Sequence, residues 1–257
     1  VNTPRLSVDI WSDIACPWCF IGKRRFEKAL DALPFKDQVD ITWHAYQLDP
    51  SLPEHYEGSE EEYLAQVKGL APEQVRQMLA HVTEQAAGEG LSYDFASLRP
   101  ANSFTALRLL ALAKEHGLGN GVKEALLSAH FERGLDTGNR EVLRTLGEEA
   151  GLPAADVVRV LESDAYAEEV RADIAQARAL GITGVPFFVL ENKYGVSGAQ
   201  PPELFEQALT QVWDEIRGSG LTLIGAHGGK GHSGGGHSGE GHSTHGDGQA
   251  CGPDGCA

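Results

Sequence analysis

Apolar and polar residues alternate along Leu6-Ser7-Val8-Asp9-Ile10-Trp11, and that period of two predicts a strand. Ser12-Asp13-Ile14-Ala15 is a tight connection. From Cys16 the spacing changes. Cys19, Phe20, Phe26, Ala29, Leu30 and Leu33 fit a helical stripe, with Lys23, Arg24, Arg25 and Glu27 mostly on the other face. Pro17 suits a first helical position, where a missing N–H costs nothing. Val39-Asp40-Ile41-Thr42-Trp43-His44-Ala45 reads as a second strand, so residues 5–45 form a β-α-β unit.

A long helical stretch follows. Ser59 before Glu60, Glu61 and Glu62 reads as an N-cap with an acidic first turn. Pro72-Glu73 opens a helix with Val75, Met78, Leu79, Val82 and Ala86 on one face. Asn102 or Ser103 caps another, through Leu107, Leu110 and Leu112, which stops at Gly117. Further helices are predicted near 120–133, 140–150, 154–162 and 165–180, punctuated by Gly134, Gly151 and Gly181. Strand character returns at Pro186-Phe187-Phe188-Val189-Leu190, a turn covers Asn192-Lys193-Tyr194-Gly195, and Tyr194 to Ser197 completes a hairpin. Pro202 opens a last amphipathic helix through Leu204, Phe205, Leu209, Val212 and Ile216.

The order β-α-β, helical block, β-β-α matches the thioredoxin fold apart from the block. The expected class is therefore α/β: a thioredoxin-like domain from residues 1–48 and 181–220, a helical insertion or lid over 49–180, and a tail over 221–257. Gly, His and Ser dominate the tail. His227, His232, His237 and His242 recur every five residues, and with almost nothing apolar to bury, the tail reads as flexible and disordered.

The 257 residues are 41% hydrophobic, enough for a sizeable core, and carry a formal charge of −16. Such a surface repels phosphates, which argues against nucleic acid and anionic membranes as partners. No apolar run is long enough to span a bilayer, and Asp9 and Asp13 interrupt the one candidate signal stretch. A cytoplasmic address is expected, where a dithiol is reduced at rest and its disulfides are transient and catalytic. No quaternary signal is readable.

The four cysteines form two close pairs, Cys16-Pro17-Trp18-Cys19 and Cys251 with Cys256. Two dithiols point to redox chemistry or soft-metal binding. At the first pair the position after a strand and at a helix N-terminus favours redox. Unsatisfied N–H groups and the helix dipole favour a thiolate there, so the Cys16 pKa is expected to fall. Cys19, one turn further in, is expected to be more buried and to resolve the mixed disulfide. A zinc site would need two more ligands, and the folded region shows no second C-x-x-C or H-x-x-x-H.

Gly184-Val185-Pro186 precedes the third strand. A proline at this point of a thioredoxin-like order is expected to be cis and to face the cysteines. It would leave the backbone of Val185 free to pair with an extended substrate, with Pro186 walling the site. Trp18 and Phe20 would add apolar contact, although Trp18 fits core packing equally well.

Ser12-Asp13-Ile14-Ala15-Cys16-Pro17-Trp18-Cys19, Ala129-His130-Phe131-Glu132-Arg133-Gly134, Gly181-Ile182-Thr183-Gly184-Val185-Pro186-Phe187-Phe188 and Val196-Ser197-Gly198-Ala199-Gln200 together resemble the FrnE-like branch of the DsbA family of thiol–disulfide oxidoreductases. The resemblance covers about residues 5–217. It implies a thioredoxin fold with a helical insertion and dithiol–disulfide exchange, with Cys16 as nucleophile, Cys19 as resolving thiol and Pro186 as the cis-proline. It implies disulfide-containing or thiol proteins as partners, with no required cofactor and glutathione or another thiol as reductant. The branch often has a His shortly after its Asn-Ser/Thr pair; Leu107 stands near that place here. The same superfamily holds glutathione-dependent 2-hydroxychromene-2-carboxylate isomerases and kappa-class glutathione transferases, an alternative reading. Those typically show Ser where Cys16 stands.

The tail lies outside the resemblance. Pro253-Asp254-Gly255 fits a type I turn that would bring Cys251 and Cys256 within disulfide range. About 34 residues separate Arg217 from Cys251, a Gly-rich length with an r.m.s. reach of about 30 Å. Tethered at an effective concentration on the order of mM, that dithiol could relay oxidising equivalents to Cys16 and Cys19. Alternatively His242, His245, Cys251 and Cys256 form a loose site for zinc, copper or nickel in a redox-responsive metal-binding protein, or the tail is merely solubilising. His44, His55, His81, His116 and His130 read as surface or satisfied core residues.

Overall fold

The computed structural model describes residues 4–218 together with Cys251, Gly252, Gly255 and Cys256. Strand β1 (Leu6–Ser12) leads into helix α1 (Pro17–Asp31), and a 3-10 turn (Lys36–Gln38) returns the chain to strand β2 (Val39–Ala45). Helices α2 (Glu60–Lys68), α3 (Pro72–Gly88), α4 (Phe104–Glu115), α5 (Gly119–Phe131), α6 (Arg140–Glu149), α7 (Ala154–Glu162) and α8 (Ala167–Ala179) follow. The hairpin β3 (Phe187–Leu190) and β4 (Tyr194–Ser197) and helix α9 (Pro202–Gly218) close the folded part. This is the thioredoxin-like fold with a helical insertion.

The sheet order is β2-β1-β3-β4. β1 and β2 run parallel from Leu6 opposite Val39 to Ser12 opposite Ala45, as a helical crossover requires. β3 is antiparallel to both β1 and β4. Local chemistry sets the helix ends. Ser59 and Glu62 form a full capping box on α2, and the Asn139 side chain accepts from two N–H groups at the start of α6. Gly181, at φ 74°, takes the left-handed turn after α8 that starts the loop to Pro186.

Phe26 on α1, Phe188 on β3 and Phe205 on α9 pack ring to ring, with centroids 4.6–5.6 Å apart. Removing one such ring costs about 3–5 kcal/mol. The same core runs without a break into the insertion, where Leu107, Leu110, Leu126, Leu143 and Val157 join Val8, Ile10 and Trp43. Leu107, which stands near the family's His, is buried here and contributes packing. By contrast α2 has no fully buried residue.

In the tail, β5 (Cys251–Gly252) pairs antiparallel with β6 (Gly255–Cys256), which sets Cys251 opposite Cys256. The expected histidine site at His242 and His245, and the expected flexibility of the tail, lie outside the described residues. Among the described residues no cluster of three metal-ligating side chains occurs, and no helix is long and apolar enough to cross a membrane.

Candidate active site

Cys16 is the N-cap of α1, with extended backbone, and Pro17 takes the first helical position. The Cys19 N–H donates to the Cys16 carbonyl at 3.1 Å, so the first turn fixes the spacing of the two thiols. Opposite them the Val185–Pro186 bond is cis. The Cys16 thiol donates to the Val185 carbonyl at 3.5 Å. Gly22, on the next turn of α1, allows this approach. A Cβ there would lie 2.8 Å from Pro186 Cγ, closer than packed carbons come.

The site is closed. Cys16 is 0% exposed and Cys19 1%, so the expected difference in burial between them is absent. Val185 and Pro186 are buried as well. The cover comes from α3 and the segment after it: Val82, Ala86, Leu91, Tyr93 and Leu98 share one apolar cluster with Cys16 and Val185. The Tyr93 hydroxyl donates to the Pro17 carbonyl at 2.6 Å. Arg25 on α1 ties the cover down through Glu89 at 2.6 Å and Gln85 at 2.9 Å, and reaches the Ala199 carbonyl at 2.7 Å. Trp18 is 1% exposed and packs inside this cluster, and Phe20 stacks on Tyr93, so neither presents a surface to substrate in this state. Beside Asp13, Ala15 and Pro17 lies a cavity of about 230 Å³, roofed by Tyr63, Met78 and Val82. Glu60 also lines it, and burial pushes its carboxyl up to about 7.

Burial reverses the expected direction at Cys16. Loss of solvent pushes its thiol well above the ordinary value, and the neighbouring Cys19 adds to the rise. At Cys19 burial also opposes ionisation. The Cys16 thiol beside it and the Lys123 ammonium lead the effects that outweigh burial and lower its pKa. Of the two thiols in the closed state, Cys19 is therefore the one whose surroundings favour the thiolate.

Three residues absent from the predicted site surround that charge. Ser12 is buried, and its hydroxyl has no hydrogen bond among the described residues. Asp13 is buried and accepts from the Leu48 N–H at 2.7 Å; desolvation still raises its pKa. Lys123, from α5, is 0% exposed and its Nζ has no hydrogen-bond partner among the described residues. Burial pushes it down to about 8, against the pull of Cys19, Asp13 and Cys16.

The model of the DSBA-like thioredoxin domain matches residues 7–210. A probable DsbA oxidoreductase from Streptomyces coelicolor is 41% identical, with 98% of this chain and 99% of that one covered and a TM-score of 0.78. The protein YwbO of Bacillus subtilis is 26% identical over 79% of this chain and 95% of its own length. The cytosolic disulfide reductase DsbM of Pseudomonas aeruginosa shares the fold, at 19% identity, 81% and 99% coverage and a TM-score of 0.59. This chain thus belongs to the DSBA-like thioredoxin domain family and is an oxidoreductase of that family.

Proposed function

We propose that the chain is a cytoplasmic, FrnE-like thiol–disulfide oxidoreductase acting on protein substrates through Cys16 and Cys19. The observation that carries this reading is the buried dithiol at the start of α1, held against the carbonyl of a cis Val185–Pro186 bond.

The cover on Pro17 must lift for a substrate to enter. Lifting it removes the burial that holds the Cys16 proton, and the helix N-terminus then favours the Cys16 thiolate. That thiolate attacks a substrate disulfide. The substrate S–S bond breaks, a mixed disulfide forms, and one substrate sulfur leaves as a thiolate that takes up a proton. The Cys19 thiolate then attacks the Cys16 sulfur. The Cys16–Cys19 bond forms, the second substrate sulfur leaves, and two electrons have passed to the substrate. Oxidised enzyme runs the same steps backwards. Val185 and Pro186 hold the substrate chain, and glutathione or another small thiol resets the dithiol. Cys251 and Cys256 relay equivalents between this pair and an outside partner. Opposed residues of an antiparallel ladder have Cα atoms about 4.5–5.5 Å apart, inside disulfide range, which supports the relay.

The test is turnover of a disulfide-bonded protein and refolding of a scrambled one, with wild type and Cys16→Ser side by side. Activity in wild type that vanishes in the variant is expected; an inactive wild type sinks the reading. For the relay, Cys19→Ser protein should accumulate a mixed disulfide between Cys16 and Cys251 or Cys256, and its absence rules the relay out.

A further inference from the structure

Lys123 poses a physical problem. An ammonium taken from water into a packed interior is costly unless other groups replace its hydration. Lys123 lies fully buried with no hydrogen bond among the described residues, and its Nζ sits 5.6 Å from the centre of the Trp43 ring. It occupies a helix face otherwise made of Gly119, Val122, Leu126, Leu127 and His130, where an apolar side chain would pack without that cost. The ionisable groups that act on it are Cys19, Asp13, Cys16 and Lys23. Lys23 is itself ion-paired with Glu27 at 2.6 Å and Glu124 at 2.7 Å, so it is already satisfied.

Of those groups, the two cysteines change charge with redox state. In the disulfide both sulfurs are neutral, and Lys123 faces Asp13 alone. In the reduced pair Cys19 is the thiol whose surroundings favour ionisation, and its thiolate would place a negative charge in the same dry pocket. A buried cation beside a group charged in only one redox state biases the equilibrium toward that state, because Coulomb attraction is strong where water is absent.

Resting on the exchange reading, we infer that Lys123 is the counter-charge of the Cys19 thiolate: a positioning residue, supplied by the helical insertion, that stabilises the reduced dithiol and makes the enzyme disulfide the more oxidising. The balance is explicit. Oxidised enzyme and a substrate dithiol give substrate disulfide and enzyme with a Cys16 thiol, a Cys19 thiolate and one proton released to solvent. The enzyme S–S bond breaks, the substrate S–S bond forms, and two electrons pass to the enzyme. In the mixed disulfide on Cys16 the same ammonium keeps Cys19 ionised for resolution.

The experiment equilibrates wild type and Lys123→Met with mixtures of reduced and oxidised glutathione and reads the reduced fraction. The variant is expected to lower the equilibrium constant for reduction tenfold or more, which is about 30 mV for a two-electron couple. A folded variant with an unchanged constant overturns the inference. A second measurement needs no change at Lys123. In Cys16→Ser, which keeps a donor beside Cys19, thiolate absorbance should titrate below the ordinary thiol value of about 8.5. Titration at or above that value also overturns the inference. Wild type that never exchanges with glutathione while Cys19 still titrates low removes the exchange reading and leaves the charge pairing standing.

Discussion

His44, partly buried, and Lys123, fully buried, are both basic side chains set into the fold, and they are treated in opposite ways. His44 follows Trp43 on β2, so the two side chains leave opposite faces of the strand. The imidazole stacks on Trp11, 4.4 Å between centroids, with Nε2 2.7 Å from Asp9 and Nδ1 2.8 Å from Asp173. Carboxylates only accept, so the ring is best matched with a proton on each nitrogen. Asp173 also accepts from the Ala45 N–H at 2.9 Å and lies 3.7 Å from Lys114. Every donor there has its acceptor. At Lys123, near Trp43 on the other side of the strand, three N–H donors find none among the described residues. The first arrangement pins α8 to β1 and β2. The second gives up stability for a charge that meets its partner in one redox state. Hydrogen-bond saturation, more than burial, separates a structural ion from a working one.

Substitutions can break that contrast. The largest loss is expected from Asp173→Ala, which strands the imidazolium and the Ala45 N–H together. About 3–4 kcal/mol should disappear in denaturant unfolding. A loss under about 1 kcal/mol would show that water takes over the role of the carboxylate.

The pH dependence of the same cluster comes next. Burial lowers the His44 pKa, but its two carboxylates outweigh burial and raise it above 6.5. Its contribution is then complete below the unfolded value and lost as pH rises through the higher folded value. Asp173 is depressed, so its share is present above its unfolded value of about 3.9 and lost as pH falls through the lower folded one. The cluster is strongest between roughly pH 4 and 6.5. Comparing wild type with His44→Gln, the stability gap should be about 2 kcal/mol in that window and shrink toward alkaline pH. A gap that widens with pH would mean the ring is neutral when paired.

The smallest effect sharpens the comparison from the other side. Lys123→Met keeps the length of the stem and removes an unmatched ion. In the oxidised protein, where Cys19 is uncharged, its stability should be unchanged or higher by about 1 kcal/mol. A loss of several kcal/mol would show that Lys123 is held by contacts equivalent to those of His44.

The hairpin around Phe187 and Tyr194 and the position of Cys16 at a helix start were legible because period, breakers and loop lengths act locally. The pKa of Cys16 was not, because it depends on Tyr93 and Val82, which reach it from remote segments. Lys123 was missed for a related reason. Between Val122 and Glu124 a lysine reads as a solvated position, yet Gly119, Val122, Lys123, Leu126, Leu127 and His130 follow one helical stripe. A lysine set into such a stripe is the local signal that would have found it. Lys23 shows the same limit: its place among charged neighbours on α1 gives no sign that Glu124 of α5 would enclose it.

Closure over Cys16 also bears on chemical damage. A thiolate in the open can be carried by peroxide from sulfenic to sulfinic acid, beyond the reach of ordinary reductants. Behind Tyr93 and the Arg25–Glu89 pair the sulfur has no surface for peroxide to reach. On the proposed mechanism exposure is confined to the moments when the cover is raised, when a partner sulfur is at hand to return a sulfenic acid to a disulfide.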